Sequence, residues 1–246
     1  MYPCSGGFSY RGLHVGCHAH PSPLSLIPAI ATSCNGYFCW GLYYMIGARQ
    51  KYGSVQKAMN TWRDYMVSMG FGYQLGIDLP GEKRGMIPNA QYYDKAYRRS
   101  WNGLTIISIS IGQGEVTATP LQNLGATIAN RGYFVTPHVV KEIEGESIDS
   151  IYTTRRYTKV DKGHYEEVVQ GMRSAVLGGT CRTANIPELE ICGKTGTAQN
   201  HGKDHSAFMG FAPMNNPKIA IAVYVENGGF GATYGVPIGA MMMDQY

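Results

Sequence analysis

The chain has 246 residues, of which 44% are hydrophobic and only 15% charged, and its net charge is +4. That balance excludes a disordered chain and a nucleic-acid-binding basic tail, and leaves a mildly basic folded unit with a substantial buried core. No run of about 18 apolar residues is present, so no membrane-crossing helix is expected. The polar, glycine-rich start also lacks the basic and apolar stretches of a secretory leader.

Residues 1–23 are rich in Gly, His, Cys, Ser and Pro and are expected to form a Cys/His-rich loop or irregular hairpin, set apart from a main domain over 24–246. Leu24, Ile27, Ile30 and Ala31 recur at helical spacing, with Pro28 tolerable in the first turn. The pattern breaks at Ser33-Cys34-Asn35-Gly36. It resumes through Phe38, Leu42, Met45 and Ile46, and stops near Gly53. Ser54 is a natural cap for a helix over 55–69, with Gly70 just past its end. Residues 71–104 are expected to be mostly loop. The alternation in Thr105–Ile111 predicts a half-buried strand, and Thr119-Pro120 predicts the start of a helix ending near Gly132. A strand is expected over 133–143, a short excursion with a strand over 145–160, and a helix from Asp161 to Leu177. Three strand-like runs follow, at 189–198, 205–212 and 218–226, and then a terminal helix over 236–246. Helices followed by consecutive strands predict an α+β fold, an antiparallel sheet packed with helices.

Lys194-Thr195-Gly196-Thr197 lies at the centre of the first of these runs. A lysine in an apolar strand is costly unless its charge has a use. The two threonines share a face by strand alternation, and Gly196 lets another chain approach closely. Ammonium, hydroxyls and free backbone N–H groups together suit a carboxylate-ended peptide added as a strand. A lysine guarding an edge strand is the plainer explanation. Ser33 and Asn35, two apart between helices, can face one cleft or cap a helix. Together the two motifs match the order S-x-N then K-T-G found in β-lactamases and penicillin-binding proteins, and the long interval between them favours the latter.

The stretches Ser110-Ile111-Gly112-Gln113-Gly114, Asp78-Leu79-Pro80-Gly81-Glu82, Phe211-Ala212-Pro213 and Val225-Glu226-Asn227-Gly228-Gly229 extend the likeness along the chain. The sequence resembles the class B penicillin-binding proteins, most of all their elongation-specific branch. The resemblance implies a transpeptidase fold of the serine β-lactamase type, incomplete on its N-terminal side. It implies D,D-transpeptidase activity on peptidoglycan stem peptides, inhibition by β-lactams and partners in the cell-elongation machinery. It further implies a location on the periplasmic face of the cytoplasmic membrane, reached through an anchor outside these residues. By position Ser33 would relay a proton, and Asn35 would hold the substrate amide and orient the general-base lysine. Lys194 would supply positive potential, and Thr195 and Thr197 would bind the substrate carboxylate. The Thr197 N–H would form half of an oxyanion hole. No cofactor is implied for catalysis. Acyl hydrolysis, as in a D,D-carboxypeptidase or β-lactamase, and a non-catalytic penicillin sensor or scaffold are the alternatives.

One departure stands out. The family's nucleophile belongs to an S-x-x-K ahead of S-x-N, and the only such motif is Ser54-Val55-Gln56-Lys57, which follows it. Helix capping explains Ser54 better, so the nucleophile's segment is expected to lie ahead of residue 1 and these residues alone are expected not to acylate. Cys4, Cys17 and His20, with His18 between them, could hold a structural Zn²⁺. A Cys4–Cys17 disulfide and free cysteines remain the other readings. Packing suffices to explain Cys34, and His201 and His205 are expected near the cleft.

Overall fold

The computed structural model describes residues 1–113, 121–199 and 201–246. Strands β1 (Gly7–Tyr10) and β2 (Leu13–Gly16) form an antiparallel hairpin, with Phe8 opposite Val15. Helices α1 (Leu26–Ala31), α2 (Asn35–Gly47), α3 (Arg49–Tyr52) and α4 (Val55–Ser68) follow. Ser54 caps α4 by accepting from the Lys57 N–H at 3.2 Å, so the lone S-x-x-K is a helix start.

The segment 71–104, expected as loop, contains helix α5 (Ala90–Ala96), capped by Asn89 through a 2.8 Å bond from the Tyr92 N–H. The strand expected at 105–111 is instead a 3-10 helix over Ile107–Ile111. Its bonds are local, with the Gly112 N–H donating to the Ile109 carbonyl at 3.2 Å. Ile106, Ile107 and Ile109 pack on Cys39, Leu42 and Ile46 of α2, and among the described residues no strand pairs with them. The Thr119-Pro120 helix start falls outside the described residues, and the helix beyond it is α6 (Leu121–Ala129).

The strand expected over 133–143 shrinks to β3 (Tyr133–Phe134), paired with β4 (Arg156–Tyr157). Pro137 has no N–H to offer a ladder, and the Asp78 carboxylate takes the N–H groups of Val139 and Val140 at 3.0 and 2.9 Å. Helix α7 (Lys162–Gly178) then leads into β5 (Cys192–Ala198), β6 (His205–Ala212), β7 (Ile219–Val225) and α8 (Gly235–Gln245).

The three long strands form one antiparallel sheet in the order β5-β6-β7, covered by helices on both faces. Phe208, Ile221 and Val223 meet Val236, Ala240 and Met243 of α8 on one face. Cys192 and Phe211 meet Ile30, Ile128 and Val169 on the other. Cys181 and Cys192 therefore sit in different cores, and both are free thiols. The α+β expectation holds, and the apolar alternation of 219–225 on both faces is explained by helices on both sides.

Phe208 is fully buried in a socket that only glycines leave open. A Cβ on Gly193, Gly210 or Gly239 would stand 2.6, 2.7 or 2.4 Å from its ring. Replacing Phe208 by Ala should cost about 3–5 kcal/mol, read as a lower denaturant midpoint with an unchanged slope. No helix among the described residues is long and apolar enough to cross a membrane.

Candidate active-site cleft

Three elements converge on one cleft of about 1230 Å³: the α1–α2 junction, the outer edge of β5 and the end of α7. At the junction Ser33 adopts a left-handed conformation, φ +56°, unusual for a residue with a side chain. That turn lets α2 start immediately and aims the Ser33 hydroxyl at β5. Lys194 Nζ donates to Ser33 Oγ at 2.7 Å and to the Thr195 carbonyl at 2.9 Å. Burial pulls the Lys194 pKa down from 10.5 to about 8, and the nearby Cys181 side chain acts in the opposite direction.

Thr195 and Thr197 lie on one face of β5, opposite Phe208 and Ser206. The Thr195 hydroxyl donates to Thr180 Oγ1 at 3.0 Å. Thr197 Oγ1 accepts from the Gly231 N–H at 3.3 Å, leaving its own hydrogen free to donate. Gly231 must be glycine, because a Cβ there would stand 2.4 Å from the Gly196 carbonyl oxygen. Beyond β5, Gln113 Nε2 donates to Gln199 Oε1 at 2.8 Å, bridging two walls of the cleft.

Asn35 also lines the cleft, but its side-chain amide donates to the Gly16 carbonyl of the hairpin at 2.9 Å. Sequence reasoning thus placed Ser33, Asn35, Lys194, Thr195, Gly196 and Thr197, and the fold brings all six together. It missed Thr180, Gln113 and Gln199. Thr180 owes its position to a close approach no local pattern announces. Its N–H donates to the Ala31 carbonyl at 3.1 Å, and a Cβ on Gly179 would stand 2.2 Å from that oxygen. His205 accepts from the Asn227 N–H at 3.0 Å and packs on Tyr224, outside the cleft lining. Ser54 and Lys57 lie outside it as well.

Behind the S-x-N turn, Cys4, Cys17, His20 and Cys34 bring four donor atoms within 4.8 Å of one another. Cys34, which packing alone seemed enough to explain, supplies a fourth donor. Cys17 Sγ lies 3.4 Å from His20 Nε2. His20 Nδ1 lies 2.8 Å from the Pro21 carbonyl, which can only accept, so the hydrogen sits on Nδ1 and Nε2 is free to ligate. The N–H groups of Asn35 and Tyr37 donate to Cys17 and Cys34 sulfur at 3.3 and 3.2 Å. Burial pushes the Cys34 thiol up to about 12. A tetrahedral Zn²⁺ with bonds of about 2.0–2.3 Å needs donors spaced much as these are, so the residues fit the ion. His18 instead lines the cleft.

The penicillin binding protein transpeptidase domain matches residues 5–244. The chain is 38% identical to the peptidoglycan D,D-transpeptidase MrdA of Acinetobacter baumannii, over 83% of this chain and 32% of that protein. It is 30% identical to MrdA of Escherichia coli K12, over 70% of this chain and 31% of that protein. The chain thus spans about a third of the length of these curated relatives. Among solved structures, Pseudomonas aeruginosa PBP2 in complex with WCK 5153 is similar at a TM-score of 0.74 and 33% identity, covering 90% of this chain and 47% of that one. Helicobacter pylori PBP2 in complex with MreC is similar at a TM-score of 0.69 and 27% identity, covering 88% and 39%. With the fold, the paired motifs and this match in agreement, the chain belongs to the penicillin-binding protein transpeptidase domain family.

Proposed function

We propose that these residues form the carboxylate-binding side of a peptidoglycan D,D-transpeptidase cleft in cell-wall elongation. The 2.7 Å contact of Lys194 with Ser33, beside two threonine hydroxyls on an open strand edge, carries the proposal. A stem peptide ending in D-Ala-D-Ala lies along β5, its carboxylate held by Lys194, Thr195 and Thr197. Ser33, bonded to the ammonium, passes a proton to the departing D-Ala nitrogen. Asn35 holds the peptide amide once its bond to Gly16 is exchanged. The Thr197 N–H stabilises the tetrahedral oxyanion. The attacking serine comes from an S-x-x-K segment, and an amine of a second stem resolves the acyl-enzyme. β-Lactams enter by the same carboxylate contacts.

Cys4, Cys17, His20 and Cys34 would hold a Zn²⁺ whose contribution is structural, fixing the hairpin against the turn that carries Ser33 and Asn35. By analogy with the PBP2–MreC complex, proteins of the elongation machinery are the proposed partners, at the periplasmic face of the cytoplasmic membrane.

A fluorescent penicillin tests the reading. A polypeptide of these 246 residues should form no denaturation-resistant adduct. The nucleophile-bearing protein, these residues together with an S-x-x-K segment, should form one per chain. An adduct on the 246-residue chain, or none on the nucleophile-bearing protein, contradicts the assignment.

A further inference from the structure

Thr195 meets the cleft with a hydroxyl whose hydrogen already has a partner, since it donates to Thr180 Oγ1 at 3.0 Å. A carboxylate can only accept hydrogen bonds, so a Thr195 turned this way has no donor to offer one. Thr180 lines the cleft as well, and its backbone is tied down. Its N–H donates to the Ala31 carbonyl at 3.1 Å, two residues before Ser33, and leaves the side chain out of that bond.

Behind the two threonines lies Cys181, which is fully buried. Burial pushes its thiol up to about 11, while the Lys194 charge, the Thr180 side chain and the Thr195 N–H, the last two hydrogen-bonded to it, act the other way. The bonds thus run inward, from the Thr195 hydroxyl to Thr180 and from Thr180 to the Cys181 sulfur. Sulfur is a weak acceptor, so the last link is the weakest of the row.

We propose that Thr180 is a positioning residue for the carboxylate site: when a ligand enters, both hydroxyls turn, Thr180 donating to Thr195 and Thr195 to the carboxylate. The inference rests on the reading that Thr195 binds that carboxylate. The inventory of bonds favours the turn. The Thr180–Thr195 bond persists with its direction reversed, the weak bond to sulfur is lost, and a charge-assisted bond to the carboxylate is gained. Hydroxyls bonded in a row polarise one another, so Thr195 becomes a stronger donor than a hydroxyl on its own. Without the Thr180 hydroxyl, Thr195 would bond to water and exchange that bond for the carboxylate, so less would be gained on binding.

The test is a double-mutant cycle on the 246-residue chain, read as the dissociation constant of diacetyl-Lys-D-Ala-D-Ala in NMR titrations. Thr180→Val keeps the branched side chain and the N–H bond to Ala31 and removes only the hydroxyl. It should weaken binding about fivefold, the size of one ordinary hydrogen bond, with an unchanged melting temperature. Thr180→Ser, which restores the hydroxyl, should bind as the unsubstituted chain does. Thr195→Val should weaken binding by more, and adding Thr180→Val to it should weaken it no further, because Thr180 acts only through Thr195. Additive losses, no rescue by serine, or undiminished binding in Thr180→Val overturn the proposal while the carboxylate reading stands. No binding by the unsubstituted chain, or indifference to Thr195→Val, overturns that reading and the proposal with it.

Discussion

Replacing Lys194 by Met is expected to slow acylation of the nucleophile-bearing protein by penicillin about 10²–10³-fold, equivalent to ~2.7–4 kcal/mol of lost transition-state stabilisation. The variant removes the ammonium proposed to face the ligand carboxylate and frees Ser33 of its 2.7 Å donor. It should not unfold the protein. In the folded state the Lys194 pKa is lowered to about 8, so burial penalises its charged form. The unfolded chain, with a lysine near 10.5, binds more protons between about pH 8 and 10.5, so this group makes stability rise with pH across that window. Below it the desolvation cost is fully present, and Met removes it. Acylation of the unsubstituted protein should in turn fall as pH rises past about 8, while Lys194→Met loses that limb of the profile. A variant equally slow because misfolded would show a lower melting temperature instead.

Stripping metal from the Cys4–Cys17–His20–Cys34 cluster should lower the melting temperature by about 8–16 °C. The figure follows from ~4 kcal/mol for a ligand present at a thousand times its dissociation constant, and about 2–4 °C per kcal/mol in a domain this size. The loss should be concentrated where the cluster acts. The segment leading into the hairpin touches α2 through Cys4, and Gly36 leaves room for it, since a Cβ there would stand 2.9 Å from the Cys4 sulfur. Without the ion no bond ties the three cysteine sulfurs and His20 together, so the hairpin should loosen and the Ser33–Asn35 turn with it. Elemental analysis should find about one Zn²⁺ per reduced chain, lost in Cys17→Ser. A metal-free chain with an unchanged melting temperature contradicts the zinc assignment. A mass deficit of two hydrogens, mapped to Cys4 and Cys17, would favour the disulfide.

The cleft was legible because its residues lie in two short motifs whose chemistry is local: a lysine in a strand, a glycine that clears an edge, a serine and asparagine at a helix junction. The parts that escaped are those fixed by approach in space. Thr180 reaches Thr195 only because Gly179 lets α7 touch the end of α1. Cys34 joins Cys4, Cys17 and His20 only once the hairpin folds onto α2. The helices and the three long strands follow the apolar period closely, as at Val55–Ser68 and Ile219–Val225. The alternation of Thr105–Ile111 misled because one apolar face against α2 satisfies a 3-10 turn as well as a strand. Beyond Phe134, Pro137 and the Asp78 carboxylate remove the donors a ladder needs. The Asn89 cap of α5 was present in the sequence but hidden among glycines and prolines.

The central claim, that the β5 edge and the Ser33 turn bind an acyl-D-Ala-D-Ala carboxylate, is tested most directly by titrating the ¹⁵N-labelled chain with diacetyl-Lys-D-Ala-D-Ala and with its L-Ala-L-Ala counterpart. The account predicts saturable shifts at Ser33, Lys194, Thr195 and Thr197 for the D,D peptide alone, abolished in Lys194→Met. Shifts located elsewhere, or of equal size with the L,L peptide, would contradict it.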